Sequence, residues 1–500
     1  MGQDVRTDGA TREDHERYRR KVRLGLDALR RMLTDDAFAV APPTMGLEIE
    51  FSLVDRDRQP AMLNRVVLEK INDPAFTPEL GQHNLELNVD PRPLAGDELR
   101  GLEDDLVAAL GLAERKAADT GASLVMIGSL PTLRAEHFDT RWLSSNVRYR
   151  RLNDRIVAAR GEDVRLSMDG SPMPGQGSSE RLRSLHDSIL VESACTSTQL
   201  HLQVAPDDFA ANWNAAQCLA GVQVAIGANS PFLLRKALWH ETRIPLFLQS
   251  TDTRPDELKN QGVRPRVWFG ERWITSIFDL FEENARYFPG LLPEVDDEDP
   301  IEALEEGRAP RLAEMRLHNG TIWRWNRPVY DVGPTGPHLR VENRVLPSGP
   351  TVVDLLANAA FFYGAQRALA SPDRPVWTQM SFQAAEENLS AGARHGFGAR
   401  LYWPGIGWVP PEELVLRRLL PMAHAGLADL GVSARVADRY LGVIEQRCLT
   451  RRTGSSWQRA AVAALEGRGL DRDKALTGML GRYMELSATG MPVHTWAVDL

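Results

Sequence analysis

Four short stretches of this chain set acidic, amide, imidazole and guanidinium side chains on alternate positions, the spacing at which an extended strand shows them on one face. In Gly46-Leu-Glu-Ile-Glu-Phe51, Glu48 and Glu50 share a face while Leu47, Ile49 and Phe51 point to the core. Asn84-Leu-Glu-Leu-Asn88 repeats the arrangement with Asn84, Glu86 and Asn88, and Thr198-Gln-Leu-His-Leu-Gln203 with Gln199, His201 and Gln203. His338-Leu-Arg-Val-Glu-Asn-Arg344 aligns His338, Arg340, Glu342 and Arg344. Any one such strand is explained by a solvated outer face of an antiparallel sheet. Four that offer carboxylates, imidazoles and guanidinium groups, where a solvent face would mostly carry Lys, Thr and Ser, point to one shared site for hard cations and phosphate oxygens.

Oxygen-rich ligation with a single imidazole suits Mg²⁺, with Mn²⁺ the alternative. Magnesium suggests a nucleotide, and ATP is the expected co-substrate. The chain has neither G-x-x-x-x-G-K-[ST] nor G-x-G-x-x-G after a strand, so ATP has to be held by metals and arginines on the sheet. Trp323-Arg-Trp-Asn-Arg-Pro328 sets Arg324 between indoles, and Arg340 and Arg344 share the Glu342 face. A planar guanidinium fork suits a transferring phosphoryl group, which makes Arg324, Arg344 and Arg340 the candidate catalytic arginines. Gln199, Gln203, Arg324 and Arg344 are the candidate nucleotide contacts. Arg327, beside Pro328, reads equally well as a surface ion-pair partner, and Cys218, within an apolar helical run, reads as packing.

The elements that position these residues follow from periodicity. Apolar residues at helical spacing predict a leading amphipathic helix over Thr11 to Thr34. Strands at Met45 to Val54, Asn84 to Val89 and Ser123 to Ile127 alternate with a helix from Asp97 to about Ala118, an α+β pattern. Ser197 to Val204 reads as a strand and Phe209 to about Ala225 as a long helix; Ile322 to Trp325 and His338 to Val345 read as the last two strands. Gly170 to Ser179 and Glu294 to Pro310 have loop composition. Beyond about Ser371 helices dominate: Pro411 to Leu430, Ser433 to Arg447, Ser456 to Glu466 and Arg472 to Leu486. The expected organisation is a helical lead over 1–43, a catalytic domain over 44–371 and a helical region over 372–500.

Five hundred residues, 43% of them hydrophobic, bury a large core. A net charge of -9 with mixed signs argues against a nucleic-acid partner, and no apolar run approaches the roughly 18 residues of a membrane span. The start Met1-Gly-Gln-Asp-Val-Arg lacks the apolar stretch of a signal peptide, and Arg6 stands where a myristoylation motif wants Ser or Thr. Three unpaired-looking cysteines fit a reducing cytoplasm. The expected partners are small molecules, and an oligomer is left open.

Met45-Gly-Leu-Glu-Ile-Glu-Phe51, Glu79-Leu-Gly-Gln-His-Asn-Leu-Glu-Leu-Asn88, the His201 strand and Arg340-Val-Glu-Asn-Arg344 resemble the glutamate–cysteine ligase type 2 family of carboxylate–amine ligases, over roughly residues 44 to 370. The resemblance implies a catalytic core related to glutamine synthetase, an antiparallel sheet funnel flanked by helices, with Mg²⁺ and ATP meeting the amino acid inside. It implies Glu48, Glu50, Glu86, His201 and Glu342 as metal ligands, with Glu79 added by the interval of the family's acidic pair, and Arg324 and Arg344 as contacts to the γ-phosphate or acyl phosphate. Gln199 stands where family branches often carry the first His of a His-x-His. The implied reaction joins a carboxylate, glutamate, to cysteine or another amine. A small-molecule kinase on the same fold, a non-catalytic family member and a two-carboxylate glycosidase are the competing readings; the glycosidase leaves His201 and the arginine strand without a role.

Overall fold

A computed structural model describes residues 11–38, 42–371 and 375–498. The N-terminal Met1-Gly2 segment and the expected boundary at 372 lie outside the described residues. The leading helix runs Arg12–Thr34, with the Thr11 side chain and Asp14 closing a reciprocal capping box at its start.

The central sheet is antiparallel throughout and curls into a half-barrel. Its order is Asn326–Gly333, Gly336–Pro347, Ser197–Gln203, Thr44–Val54, Asn84–Pro93 and Phe76–Pro78, with Ser123–Val125 on the far end of Thr44–Val54. Its apolar face packs on two helices buried almost all round, Pro206–Gly227 and Val352–Leu369. The second has no polar stripe, so amphipathic periodicity does not reveal it in the sequence.

These helices fix the sheet through buried polar groups as well as apolar contact. Tyr363 Oη donates to Gly46 O at 3.3 Å and His201 O at 3.2 Å, tying two neighbouring strands to one phenol. Gln223 and Asn343 exchange hydrogen bonds of 3.1 and 3.2 Å, Asn343 donates to Asn326 at 2.7 Å, and Asn326 donates to Gln217 at 2.7 Å. Every side-chain amide here has a partner, which is what makes such burial tolerable and fixes one register for the hairpin.

Some elements depart from expectation for identifiable reasons. Asn326–Gly333 is a strand although Pro328 interrupts its pattern, because it forms the sheet's edge, where a missing N–H is tolerated. The loop-like 294–310 stretch contains a short helix, Pro300–Glu305, capped by Asp299. The helical C-terminal region also holds a small hairpin, Leu401–Trp403 with Gly407–Val409.

The buried apolar core runs unbroken from Tyr18 to Trp496. Helix Phe382–His395 crosses Pro206–Gly227 at Gly392 and Gly221, where a Cβ on either glycine would run into the other helix's backbone. Arg447, 2% exposed, pairs with Asp354 at 2.8 Å and donates to Ile226 O at 3.2 Å. Among the described residues no helix is long and apolar enough to cross a membrane.

Gly221→Ala is expected to force this helix crossing apart and lower unfolding free energy by about 1–3 kcal/mol, the usual cost of overpacking. Chemical denaturation checks it: the midpoint falls, and an unchanged midpoint contradicts the close approach.

Candidate metal and nucleotide site

Antiparallel register gathers the polar faces of separate strands into one patch. Glu50 stands opposite Glu86, Glu48 opposite Gln199, and His201 opposite Glu342. Glu79 follows the short strand Phe76–Pro78, whose Thr77 stands opposite Glu86. Its loop is pinned on both sides: Ser144 donates to Glu79 O, and Tyr149 Oη donates to Pro78 O at 3.1 Å.

Two three-ligand groups result, Glu48 with His201 and Glu342, and Glu50 with Glu79 and Glu86; within each, one ligand atom per residue lies within 4.8 Å of the others. All six residues expected to hold metal are therefore in one cleft of about 450 Å³. Five carboxylates, one imidazole and no thiolate form a donor set for a hard divalent cation. His201 Nε2, 3.1 Å from Glu48 Oε1, faces its partner ligand directly.

The two groups differ in how their charge is balanced. Burial alone would raise the Glu342 carboxyl, but Arg327, Arg344 and His201 override it and hold it far below the usual carboxylate range. Arg327 reaches Glu342 through Nε at 2.8 Å and Nη2 at 3.0 Å, and Arg344 bridges Glu342 and Gln199. Burial also works against ionised Glu48, and the His201 hydrogen bond and charge lower it regardless.

The second group is less fully compensated, with Arg344 and Arg243 acting on Glu50 alone of its three carboxylates. Burial, then Glu48 and Glu50, push Glu86 up to about 8; burial, then Glu86, Glu50 and Glu192, push Glu79 well up. Burial raises Glu50 too, only partly offset by Arg344 and by the Ser197 N–H, which donates to it at 2.6 Å. Like charges this close and this dry cannot all stay ionised without a cation.

Not every sequence candidate reaches the cleft. Arg324 is 1% exposed and lies outside it, paired with Glu283 at 3.0 Å, bonded to Asn284 Oδ1 at 3.1 Å and stacked over Trp268. Strand alternation turns its neighbour Trp323 toward the cleft and Arg324 away from it. Gln203 sits beyond the cleft at its strand's end, accepting from Thr44 Oγ1 at 2.8 Å. Gln199, Arg340 and Arg344 line the cleft. So does Arg327, whose partner is the buried Glu342. Sequence patterning missed Arg148, Tyr149 and Glu192 altogether, since a helix (Val147–Arg160) and a 3₁₀ turn (Ile189–Ala194) supply them without any alternation.

The family model for glutamate–cysteine ligase family 2 matches residues 44–469. The chain belongs to this family. The match covers every cleft residue named above and extends into the C-terminal helices, well past residue 371. No curated protein matches the chain significantly. Among solved structures, a glutamate–cysteine ligase from Francisella tularensis in complex with AMP shares the fold of this family 2 chain, with a TM-score of 0.55 at 11% identity over 92% of this chain and 91% of that one. A bifunctional glutathione synthetase from Pasteurella multocida also aligns, with a TM-score of 0.48 at 11% identity over 95% of this chain and 55% of that one.

Glu86 gives the site a pH signature. Its folded-state value of about 8 lies above that of an unfolded glutamate, so its contribution to stability is full below the unfolded value and is lost as pH rises through about 8. A cation reverses this by favouring the ionised form. Magnesium or manganese should therefore raise the melting temperature more at about pH 8 than at about pH 6, by differential scanning fluorimetry. Glu86→Gln should melt higher than wild type without metal while binding Mn²⁺ about tenfold or more weakly, ~1.4 kcal/mol. Equal metal effects at both pH values contradict the assignment.

Proposed function

We propose that this chain is a magnesium-dependent, ATP-dependent carboxylate–amine ligase of glutamine-synthetase-like catalytic type. Glutamate is the acid and cysteine, or another small amine, the acceptor. The observation that carries the reading is the pair of three-ligand groups side by side on one sheet, flanked by Arg327, Arg340 and Arg344. Family membership and the shared fold with a glutamate–cysteine ligase support it.

Amide formation from a free carboxylate is uphill in water, so the acid needs activation by phosphoryl transfer before the amine attacks. Glu48, His201 and Glu342 would hold one Mg²⁺ and Glu50, Glu79 and Glu86 another. Bound there, the cations supply charge neutralisation for phosphate oxygens. Arg344, fixed by Glu342 and Gln199, and Arg340, on the same strand face, present guanidinium forks to the transferring group. Because Glu342 pins Arg327 and Arg344, their forks need no rearrangement as charge develops.

The test is ADP release by purified protein with ATP, Mg²⁺, glutamate and a panel of amines, with the product mass measured. A γ-glutamyl amide is the expected product; ADP release that needs no amine would replace the ligase reading with a kinase. Glu50→Ala should reduce turnover by at least about 10³-fold, the scale of losing a preorganised charge-stabilising group. Turnover with unchanged magnesium dependence in that variant contradicts the metal assignment.

A further inference from the structure

Arg243, 3% exposed, and Glu241, fully buried, form an ion pair at the start of helix Arg243–Ser250, and neither lines the cleft. Arg243 Nη1 donates to Glu241 Oε1 at 3.2 Å. The same guanidinium also donates to three successive backbone carbonyls of strand Gly336–Pro347: Arg344 O at 3.3 Å, Val345 O at 3.3 Å and Leu346 O at 3.2 Å. The first of these carbonyls belongs to the arginine that bridges Glu342 and Gln199 in the cleft.

Those carbonyls lie where the strand breaks register. Asn343 stands opposite Leu200 and Leu346 opposite Thr198, so Arg344 and Val345 together face Gln199, a one-residue β-bulge. In an unbroken strand residues 343 and 346 point to opposite faces. Here both point to helix Pro206–Gly227, Asn343 bonding Gln223 and Leu346 lying against Gly227. The bulge therefore sends Arg344 into the cleft while Val345 and Leu346 stay in the core. A bulge disrupts the ladder locally, and the Arg243 fork supplies donors to the carbonyls around it.

The clasp is itself anchored. Glu241 accepts from the Asn229 N–H at 2.8 Å and from Ser230 Oγ at 2.7 Å. The Asn229 side chain donates to Ser348 O, just past the bulge, at 2.8 Å and to Tyr483 Oη at 2.9 Å, and accepts from Gln458 at 2.8 Å. Tyr483 and Gln458 lie on the C-terminal helices Arg472–Ser487 and Gly454–Gly467. Those helices thus reach the cleft arginine through Asn229, Glu241 and Arg243. The Arg243 charge also acts against burial at Glu50 and Glu192.

We infer that Arg243 is a positioning residue for Arg344: its fork holds the bulge that aims the Arg344 guanidinium at Glu342 and Gln199, and Glu241 holds the fork. Its effect on turnover rests on the ligase reading of the cleft; its effect on where Arg344 points does not. A lysine ammonium is a single point charge and cannot span three carbonyls and Glu241 at once. A core ion pair that served stability alone would be satisfied by that charge, so Arg243→Lys separates the two roles.

The test pairs crystal structures with kinetics. In the Arg243→Lys structure the bulge should relax and Arg344 should leave Glu342, with Glu48 and Glu50 in place. ADP release with ATP, Mg²⁺, glutamate and an amine should lose kcat by about 10²-fold, the scale of a misplaced group, with KM for glutamate within about twofold. In an Arg344→Ala background the same substitution should cost no further kcat, because its effect passes through Arg344. Arg243→Met combined with Glu241→Gln removes both buried charges and leaves neither unpaired; it replaces Arg243→Lys if that variant fails to fold, and should show the same displacement. Arg344 unmoved in the variant structure overturns the inference, as do kcat losses that simply multiply when the Arg243 and Arg344 substitutions are combined. No ADP release by wild type with any amine removes the ligase reading, and the place of Arg344 in the variant structure then still decides the role of Arg243.

Discussion

Five carboxylates converge on one concave sheet face, and the rest of the structure is arranged around their mutual repulsion. A cluster of this kind, largely buried, is not self-stabilising: each ionised member raises the others, as Glu86 and Glu79 show. The fold answers in two ways. At Glu342 it supplies Arg327, Arg344 and His201, and the carboxylate stays ionised. At Glu50, Glu79 and Glu86 the compensation is weaker: Arg344 and Arg243 only partly offset burial at Glu50, and Glu79 and Glu86 stay raised.

That asymmetry gives the cleft a direction. The Glu342 end gathers Arg327, Arg340 and Arg344, whose guanidinium forks match the geometry of oxygen anions. A helix and a 3₁₀ turn add Arg148, Tyr149 and Glu192 to the cleft wall, Arg148 within electrostatic reach of Arg327 and Glu192 of Arg344. Rigidity comes from behind the sheet, through the Tyr363 phenol and the amide ladder of Gln217, Gln223, Asn326 and Asn343. Both run from helices that are buried on nearly every side, so the polar front depends on a deeply buried back. The C-terminal helices share that back through Gly221, Gly392 and the Arg447–Asp354 pair, which explains why the family match does not stop at the sheet.

How much was legible in the sequence depended on whether a signal was local. Glu48, Glu50, Glu86, His201 and Glu342 were readable because strand alternation is a two-residue property; Glu79 came from resemblance alone, since no alternation includes it. Gln203 shares His201's face, yet two residues along a strand carry it about 7 Å further, out of the cleft. Arg324 looked like a phosphate contact between two indoles, and only its tertiary partner Glu283 reveals that it is a buried ion pair. Arg327 was obscured by Pro328, which disguises an edge strand. Arg148 and Glu192 come from a helix and a 3₁₀ turn whose approach to the sheet is set by long-range packing, and no short-range pattern encodes that.

The most direct measurement of the central claim is anomalous diffraction from crystals of the full chain soaked in Mn²⁺. The account predicts two peaks, one among Glu48, His201 and Glu342 and one among Glu50, Glu79 and Glu86. Crystals that bind Mn²⁺ elsewhere, with neither group occupied, would contradict it.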